Sequence, residues 1–259
     1  MPGIGVVHLV RHANGTAPLA RFLQSYRAHP AGVDHELLLI LKGFGGGLPA
    51  EYTSLLANTP HRKLSLPDRG FDLEPYIKAA AHFEHRYFCF LNSYSRILAP
   101  DWLAKLCAAI GGSAAGLAGA TGSCETFAAL RAPKGWVARR LFPPFPNPHL
   151  RTNAFVAARD VLARVALRPL LFKFLALAAE SGKEGLTAQV RRQGLHALLV
   201  DRHGTALPEE RWHLANVFRQ SRQEDLLVAD NQTDAYAEAD AGRRAMLSRL
   251  AWGERARPA

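Results

Sequence analysis

The chain has 259 residues and a formal net charge of +10, with 48% hydrophobic and 21% charged residues. That length and balance suit one α/β core with at most a small appendage, and exclude a disordered or fibrous chain. No apolar run reaches the ~18–20 residues of a spanning helix, and Met1 to His8 lacks a basic region ahead of an apolar stretch, so neither a membrane span nor a signal peptide is expected.

Ile4–Val10 reads as a buried strand ending in the polar loop Arg11–Thr16, and Leu19, Phe22, Leu23 and Tyr26 give Ala17–His29 helical spacing. His35–Leu41 is a second strand, running into Lys42 and the loop Gly43–Gly47, whose glycines alone are weak evidence for phosphate binding. Arg62–Leu66 predicts a short third strand, followed by Asp68-Arg-Gly-Phe-Asp72 and a helix over Leu73–Phe83. Tyr87–Leu91 is an unbroken apolar and aromatic run, the pattern of a strand buried on both faces. It stops in Asn92, Ser93, Tyr94 and Ser95, and Pro100-Asp101 then opens a helix over Trp102–Ile110. Ala115–Ala120 is a candidate fifth strand. The alternation predicts an α/β fold with a mostly parallel sheet and helices on both faces.

Beyond Arg131 the character changes. Leu141–Pro148 holds four prolines and predicts an extended, semi-rigid loop. Leu150–Ala157 resumes as a strand, with Arg159–Val165 helical after it. The apolar run Phe172–Ala179 leads into Glu180 and a helix through Arg192 that Gly194 ends. Leu195–Val200 is a strand closing on Asp201-Arg-His-Gly204. After it come the polar stretches Phe218–Gln223 and Asp230–Thr233, then a terminal amphipathic helix over Tyr236–Trp252. These elements divide the chain into a core unit, 1–211, and a C-terminal segment, 212–259, packing on it.

Cys89, Cys107 and Cys124 are isolated in apolar surroundings. An odd, unpaired set argues for a reducing compartment, the cytoplasm by default, and shows no zinc framework. The basic excess suits an anionic partner. Its arginines are scattered without the aromatic interleaving of an RNA-binding strand, so nucleic acid is not expected as a partner, whereas transient adhesion to an anionic membrane surface is.

With these elements in place the chain resembles family-2-like GT-A glycosyltransferases, specifically small bacterial members, from Val6 to about Gly204. Four points carry the resemblance: Asn14-Gly15 followed by Leu19–Tyr26; Asp68-Arg-Gly-Phe-Asp72 where the family has Asn-x-Gly; Phe90-Leu-Asn-Ser-Tyr-Ser with Pro100-Asp-Trp-Leu103, similar to Phe-Leu-Asp-x-Asp and Pro-x-Trp-Leu; and Glu180 ahead of Arg-Arg-Gln-Gly194. The resemblance implies a GT-A (Rossmann-like) fold, a nucleotide-diphosphate sugar donor, a glycan or lipid-linked acceptor of the bacterial envelope, and a carboxylate base. Most such enzymes hold Mn2+ or Mg2+ through an Asp-x-Asp motif. Asn92-Ser93-Tyr94 stands there without a carboxylate, so the resemblance implies either cationic side chains replacing the metal, with Arg69, Arg202, His203 and Arg219 as candidates, or lost activity.

Arg11, Asn14, Lys42, Arg69, Asp72, Asn92, Ser93, Tyr94 and His203 are the candidate nucleotide-sugar ligands. Against that role, the 92–94 cluster has the alternative of a turn satisfied by its own side chains, Asp72 of a helix cap, Lys42 of a surface lysine and His203 of a structural histidine. Glu180 is the candidate general base, set after an apolar run; a carboxylate at a helix N-terminus is its bland counterpart, and Glu184 is the understudy. Asn147, His149, Arg151 and Asn153 are candidate acceptor ligands, although Thr152 and Asn153 also suit a bulge. Thr233 or Asp234 as a helix cap accounts for part of Asp230–Thr233. A catalytically silent sugar-nucleotide-binding scaffold is the competing reading, and a third, a lipid-seated module using Phe142-Pro-Pro-Phe145, is compatible with the enzyme.

Overall fold

The computed structural model describes residues 3–112, 114–130 and 134–258. In chain order its strands and helices are β1 (Ile4–Arg11), α1 (Ala17–Ala28), β2 (Glu36–Lys42), α2 (Ala50–Leu56), β3 (Arg62–Leu66), α3 (Leu73–His82), β4 (Tyr87–Leu91), β5 (Arg96–Ile97), α4 (Trp102–Ile110), β6 (Ala115–Gly119), β7 (Gly122–Ser123), α5 (Lys134–Leu141), β8 (His149–Leu150), β9 (Ala154–Ala158), α6 (Arg159–Ala163), α7 (Lys173–Ser181), α8 (Leu186–Arg192), β10 (His196–Val200), β11 (Ala206–Leu207), β12 (Val228–Ala229), α9 (Asn231–Ala237) and α10 (Ala241–Trp252).

Eight of these strands form one sheet in the order β11-β10-β6-β9-β4-β1-β2-β3. β3, β2, β1 and β4 run parallel, as do β6 and β10, but β9 runs against both of its neighbours, β4 and β6. Two apolar layers cover the sheet because neighbouring side chains on a strand alternate faces. Val7, Leu9, Leu38, Ile40, Phe88 and Phe90 pack with Tyr76, Leu186, Trp212 and Trp252 on one face. Val6, Val10, Leu39, Cys89 and Leu91 pack with Phe22, Leu23, Tyr52, Trp102 and Leu106 on the other. His8 belongs to this second layer, stacked on Phe22 at 3.7 Å between ring centres, and burial pushes its pKa down to about 3. It is a neutral core residue.

Several expectations are corrected. Leu150–Ala157 is not one strand: β8 and β9 are separated by a turn at Arg151–Asn153, whose backbone is claimed by other elements. Arg151 N–H donates to the Thr121 carbonyl at 3.0 Å, and the Asn153 carbonyl accepts from Asn92 N–H at 2.9 Å. The terminal helix is likewise two helices, because Asp230 and Asp240 each accept backbone N–H groups at a helix start. The cap at the first is a reciprocal box of Asp230 and Thr233, so Asp230 takes the role expected of Thr233 or Asp234. Helices α2 and α5, short and weakly periodic, had no counterpart in the sequence reading. Phe142 is buried against Phe127 and Phe174, so the Pro-rich loop is anchored in the core at that end.

The segment 212–259 is continuous with the main core. β12 pairs with β5, the Trp252 indole donates to the Phe218 carbonyl at 2.7 Å, and a Cβ added at Gly122 would lie 2.8 Å from the Trp212 ring.

Candidate active site

Neighbouring parallel strands deliver their last residues to one edge, and polar residues gather there. Arg11 closes β1 and Lys42 closes β2. Asp68 lies just past β3, where Arg11 grips it through Nε to Oδ1 at 2.8 Å and Nη2 to Oδ2 at 2.8 Å. That bidentate pair holds the Asp68 carboxyl below the usual carboxylate range. The Lys42 side chain is almost fully buried, so it is no surface lysine. Its Nζ donates to the Phe71 carbonyl at 2.5 Å and lies 3.8 Å from Asp68 Oδ1. Burial pushes its pKa down, opposed by Asp72 and Asp68.

Phe71 turns its carbonyl onto this ammonium from a left-handed backbone, φ +50°, directly after Gly70 at +75°. Strain of this kind concentrates at functional loops. Asp72 follows and makes no side-chain capping bond to α3, which removes its bland role. Burial pushes its pKa up to about 6; Lys42 and Arg11 oppose the shift, while Glu180 and Asp230 add to it.

Arg11, Lys42, Asp68, Arg69 and Asp72 line a crevice of about 760 Å³, with Leu167–Leu171 as its far wall. A second crevice, about 450 Å³, meets the first at Asp72; Asn92, His149, Arg151, Asn153 and Glu180 line it. Its remaining walls come from Glu125 and, in the C-terminal segment, Phe218, Arg219, Asp230 and Gln232.

Glu180 sits in the last turn of α7, not at a helix start, and its Oε1 accepts the Thr152 N–H at 2.7 Å. Asn147 is buried and staples this corner, donating from Nδ2 to the Ser181 carbonyl at 2.7 Å. His149 Nδ1 lies 2.8 Å from the Asn147 carbonyl, which can only accept, so Nδ1 carries the proton. Burial pushes the His149 pKa down, with Glu180 opposing, and the neutral ring therefore keeps its lone pair on Nε2. Arg151 donates from Nη2 to buried Asp230 at 2.8 Å and stacks 4.1 Å from the centre of the Phe218 ring. Arg219 lies over the same ring at 4.7 Å and is held by Glu125 and Gln232, both at 3.1 Å.

Other candidates lie apart. Ser93 and Tyr94 line neither crevice, and the Asn92 Oδ1 is committed to Tyr94 N–H and the Ser95 hydroxyl, both at 3.0 Å. Asn14 ends a single turn of 3-10 helix outside both crevices. His203 is exposed on a turn, 3.3 Å from Asp225, and Glu184 is an exposed partner of Arg192. Asp68, Glu125, Phe218 and Gln232 were not named as site candidates; Arg219 as a candidate cation and the polar stretches Phe218–Gln223 and Asp230–Thr233 carried the signal for that wall.

No protein-family profile and no curated protein matches this chain. Solved structures do. The chain is similar to a mannosyltransferase from Pyrobaculum calidifontis in complex with GDP-Man and Mn2+, at 11% identity over 83% of this chain and 60% of that one, with a TM-score of 0.50. It is also similar to glucosyl-3-phosphoglycerate synthase from Mycobacterium tuberculosis in complex with Mn2+, UDP and glucosyl-3-phosphoglycerate, at 16% identity over 73% of this chain and 63% of that one, with a TM-score of 0.43. The chain thus spans under two thirds of the length of either protein. The fold is the GT-A, Rossmann-like fold of glycosyltransferases: a mostly parallel eight-stranded sheet flanked by helices.

A divalent cation fits poorly at the end of β4. Asn92 has spent its carbonyl oxygen within the turn, and neither Ser93 nor Tyr94 brings a carboxylate. Among the described residues no cluster of three or more His, Cys, Asp or Glu side chains is set to hold a metal ion. Hard cations need several oxygen ligands with charge among them.

Proposed function

We propose that this protein is a glycosyltransferase that moves a sugar from a nucleotide-diphosphate donor to an acceptor hydroxyl. One observation carries the reading: a crevice at the carboxyl ends of parallel strands, where Arg11, Lys42, Arg69 and Arg168 stand among Asp68, Asp72 and Glu74, joins, at Asp72, a second crevice containing Glu180. Open α/β sheets bind ligands at that edge. The donor diphosphate suits the first crevice, where Arg11, Lys42 and Arg69 supply side-chain charge. As the bond from the anomeric carbon to the phosphate oxygen breaks, negative charge accumulates on the leaving diphosphate, and those cations stabilise it.

The acceptor suits the second crevice. Its hydroxyl oxygen forms the new bond to the anomeric carbon, and Glu180 takes the proton. The Thr152 N–H fixes one oxygen of that carboxylate and so orients the other. His149, Arg151 and Asn153 surround the same space, and the sequence resemblance supplies the acceptor class, a glycan or lipid-linked sugar of the bacterial envelope. Cationic side chains take the place of a metal in this scheme, and the three free cysteines support a cytoplasmic setting.

Thermal-shift screening against UDP- and GDP-sugars, with manganese or with a chelator, identifies the donor. Turnover of that donor is then measured in the wild type and in Glu180→Gln. The reading expects binding and turnover that survive the chelator, and a loss of turnover of roughly 100-fold or more in Glu180→Gln with donor binding kept. Binding without turnover in the wild type leaves the silent scaffold instead.

A further inference from the structure

Four large apolar side chains stand in solvent: Trp136 is 70% exposed, Val137 56%, Leu171 80% and Phe172 54%. They do not belong to the core. In α5, Ala138 and the following Phe142 turn inward, and Trp136, Val137, Arg139 and Arg140 are left outside. Leu171 and Phe172 precede the first turn of α7, where Phe174 packs on Phe142 with ring centres 5.3 Å apart. Lys183, just past α7, donates from Nζ to the Arg139 carbonyl at 2.8 Å. Helices α5 and α7 therefore bring both apolar pairs onto neighbouring structure.

Cations surround them. Arg139, Arg140, Arg168, Lys173 and Lys183 are all exposed, and the nearby acid Glu184 is already paired with Arg192 at 2.6 Å. Exposed tryptophan and aliphatic side chains beside arginine and lysine are the composition of a surface that sits in a lipid headgroup layer. A self-complementary dimer through the same patch would set these cations against their own copies.

We propose that α5 and the 171–172 corner dock the protein on an anionic bilayer. Trp136, Val137, Leu171 and Phe172 enter the interface and the surrounding cations meet acidic headgroups. Leu171 is on the wall of the first crevice and Lys173 on that of the second, so docking sets both mouths beside the membrane. The surface rests on exposure and charge, and it stands whether or not the crevices transfer sugar.

The four tryptophans give a direct readout, because Trp102, Trp212 and Trp252 are buried and Trp136 alone is exposed. With vesicles of equimolar phosphatidylglycerol and phosphatidylcholine at low salt, co-sedimentation is expected, with a blue shift of emission and loss of iodide quenching. Pure phosphatidylcholine, or about 0.5 M salt, should largely abolish binding. Arg139→Gln with Arg140→Gln should weaken partitioning on the order of 30-fold, from the usual contribution of a basic residue near an anionic surface. Trp136→Ser with Val137→Ser should largely abolish co-sedimentation with the same vesicles; unaltered circular dichroism and melting would show that the variant folds. Absence of vesicle binding by the wild type, or binding unchanged in both variants, overturns the proposal. Concentration-dependent self-association lost in the Trp136 variant, without vesicle binding, assigns the patch to a second copy instead.

Discussion

Lys42→Met separates a functional lysine from a structural one. Methionine keeps the length and apolar stem while deleting the ammonium. The charged hydrogen bond to the Phe71 carbonyl, 2.5 Å long, is worth about 1.5–3 kcal/mol. The ion pair with Asp68 adds less than about 1 kcal/mol, because that carboxylate is partly exposed and already gripped by Arg11. Opposing both is the release of a charge from a buried site, which contributes on the order of several kcal/mol. The downward push on the Lys42 pKa shows that burial outweighs its carboxylate neighbours. The terms cancel to within about 1–2 kcal/mol, so Tm should move by no more than about 4–8 °C in a chain of this size. Donor affinity should fall much further. Loss of one charge-assisted contact to a diphosphate, about 1.5–3 kcal/mol, predicts binding about 10- to 150-fold weaker. Differential scanning fluorimetry reads the first quantity and calorimetric titration with the nucleoside diphosphate reads the second. A fall in Tm well beyond 8 °C with nucleotide affinity unchanged would make Lys42 a strut for the 70–72 turn and refute the reasoning.

Three further substitutions, at two positions, test the electrostatics. Asp72 has its pKa raised to about 6 by burial, from an ordinary value of 3.8, so the folded protein holds this proton more tightly than the unfolded chain. Its protonated form contributes stability that is fully present below about pH 4 and lost as the pH rises through 6. Asp72→Asn should therefore raise the unfolding free energy by on the order of 2 kcal/mol at pH 7.5, shrinking toward nothing at pH 4, in urea titrations across that range; a gain independent of pH would contradict the assignment. Asp230→Ala breaks both the Arg151 pair and the capping box of α9, and should cost about 3–5 kcal/mol by urea midpoint. Asp230→Asn, which keeps a cap acceptor, should cost clearly less; equal losses in the two variants would remove the cap from the explanation.

Much of the fold was legible because buried parallel strands write themselves as apolar runs. Tyr87–Leu91 is such a strand and has the bounds read from sequence, as do Arg62–Leu66, a largely exposed edge strand, and the helix Trp102–Ile110. The reversal at β9 was not legible, since Ala154–Ala158 is an apolar run whichever way it points, and only its partners decide its direction. At the site, residues at or just past a strand end were readable by position: Arg11, Lys42 and Asn92 line the crevices, as does Asp72, which precedes α3. Glu180 was singled out by the resemblance and by its apolar approach, and it lines the second crevice, although its bond to the Thr152 amide depends on a turn that periodicity does not record. The wall made by Phe218, Arg219 and Asp230 was marked only by two polar stretches and by Arg219 as a candidate cation; its assembly was not legible because it crosses long sequence separations, where Arg219 meets Glu125 and Arg151 meets Asp230. His203 was a candidate for standing at the close of a strand, with a structural role as its alternative, and the antiparallel return to β11 turns it toward Asp225.

A strand that runs backwards changes who builds what. The chain enters β9 at the same rim where β1, β2 and β4 finish, so residues 149–153 arrive there from the opposite direction. One hollow is furnished chiefly by the first 74 positions and the other chiefly by positions beyond 120, with Asp72 as their common hinge-post. Grafting a different 124–148 excursion, or a different final quarter of the polypeptide, would thus refit one chamber and leave the charged floor of its neighbour as it was.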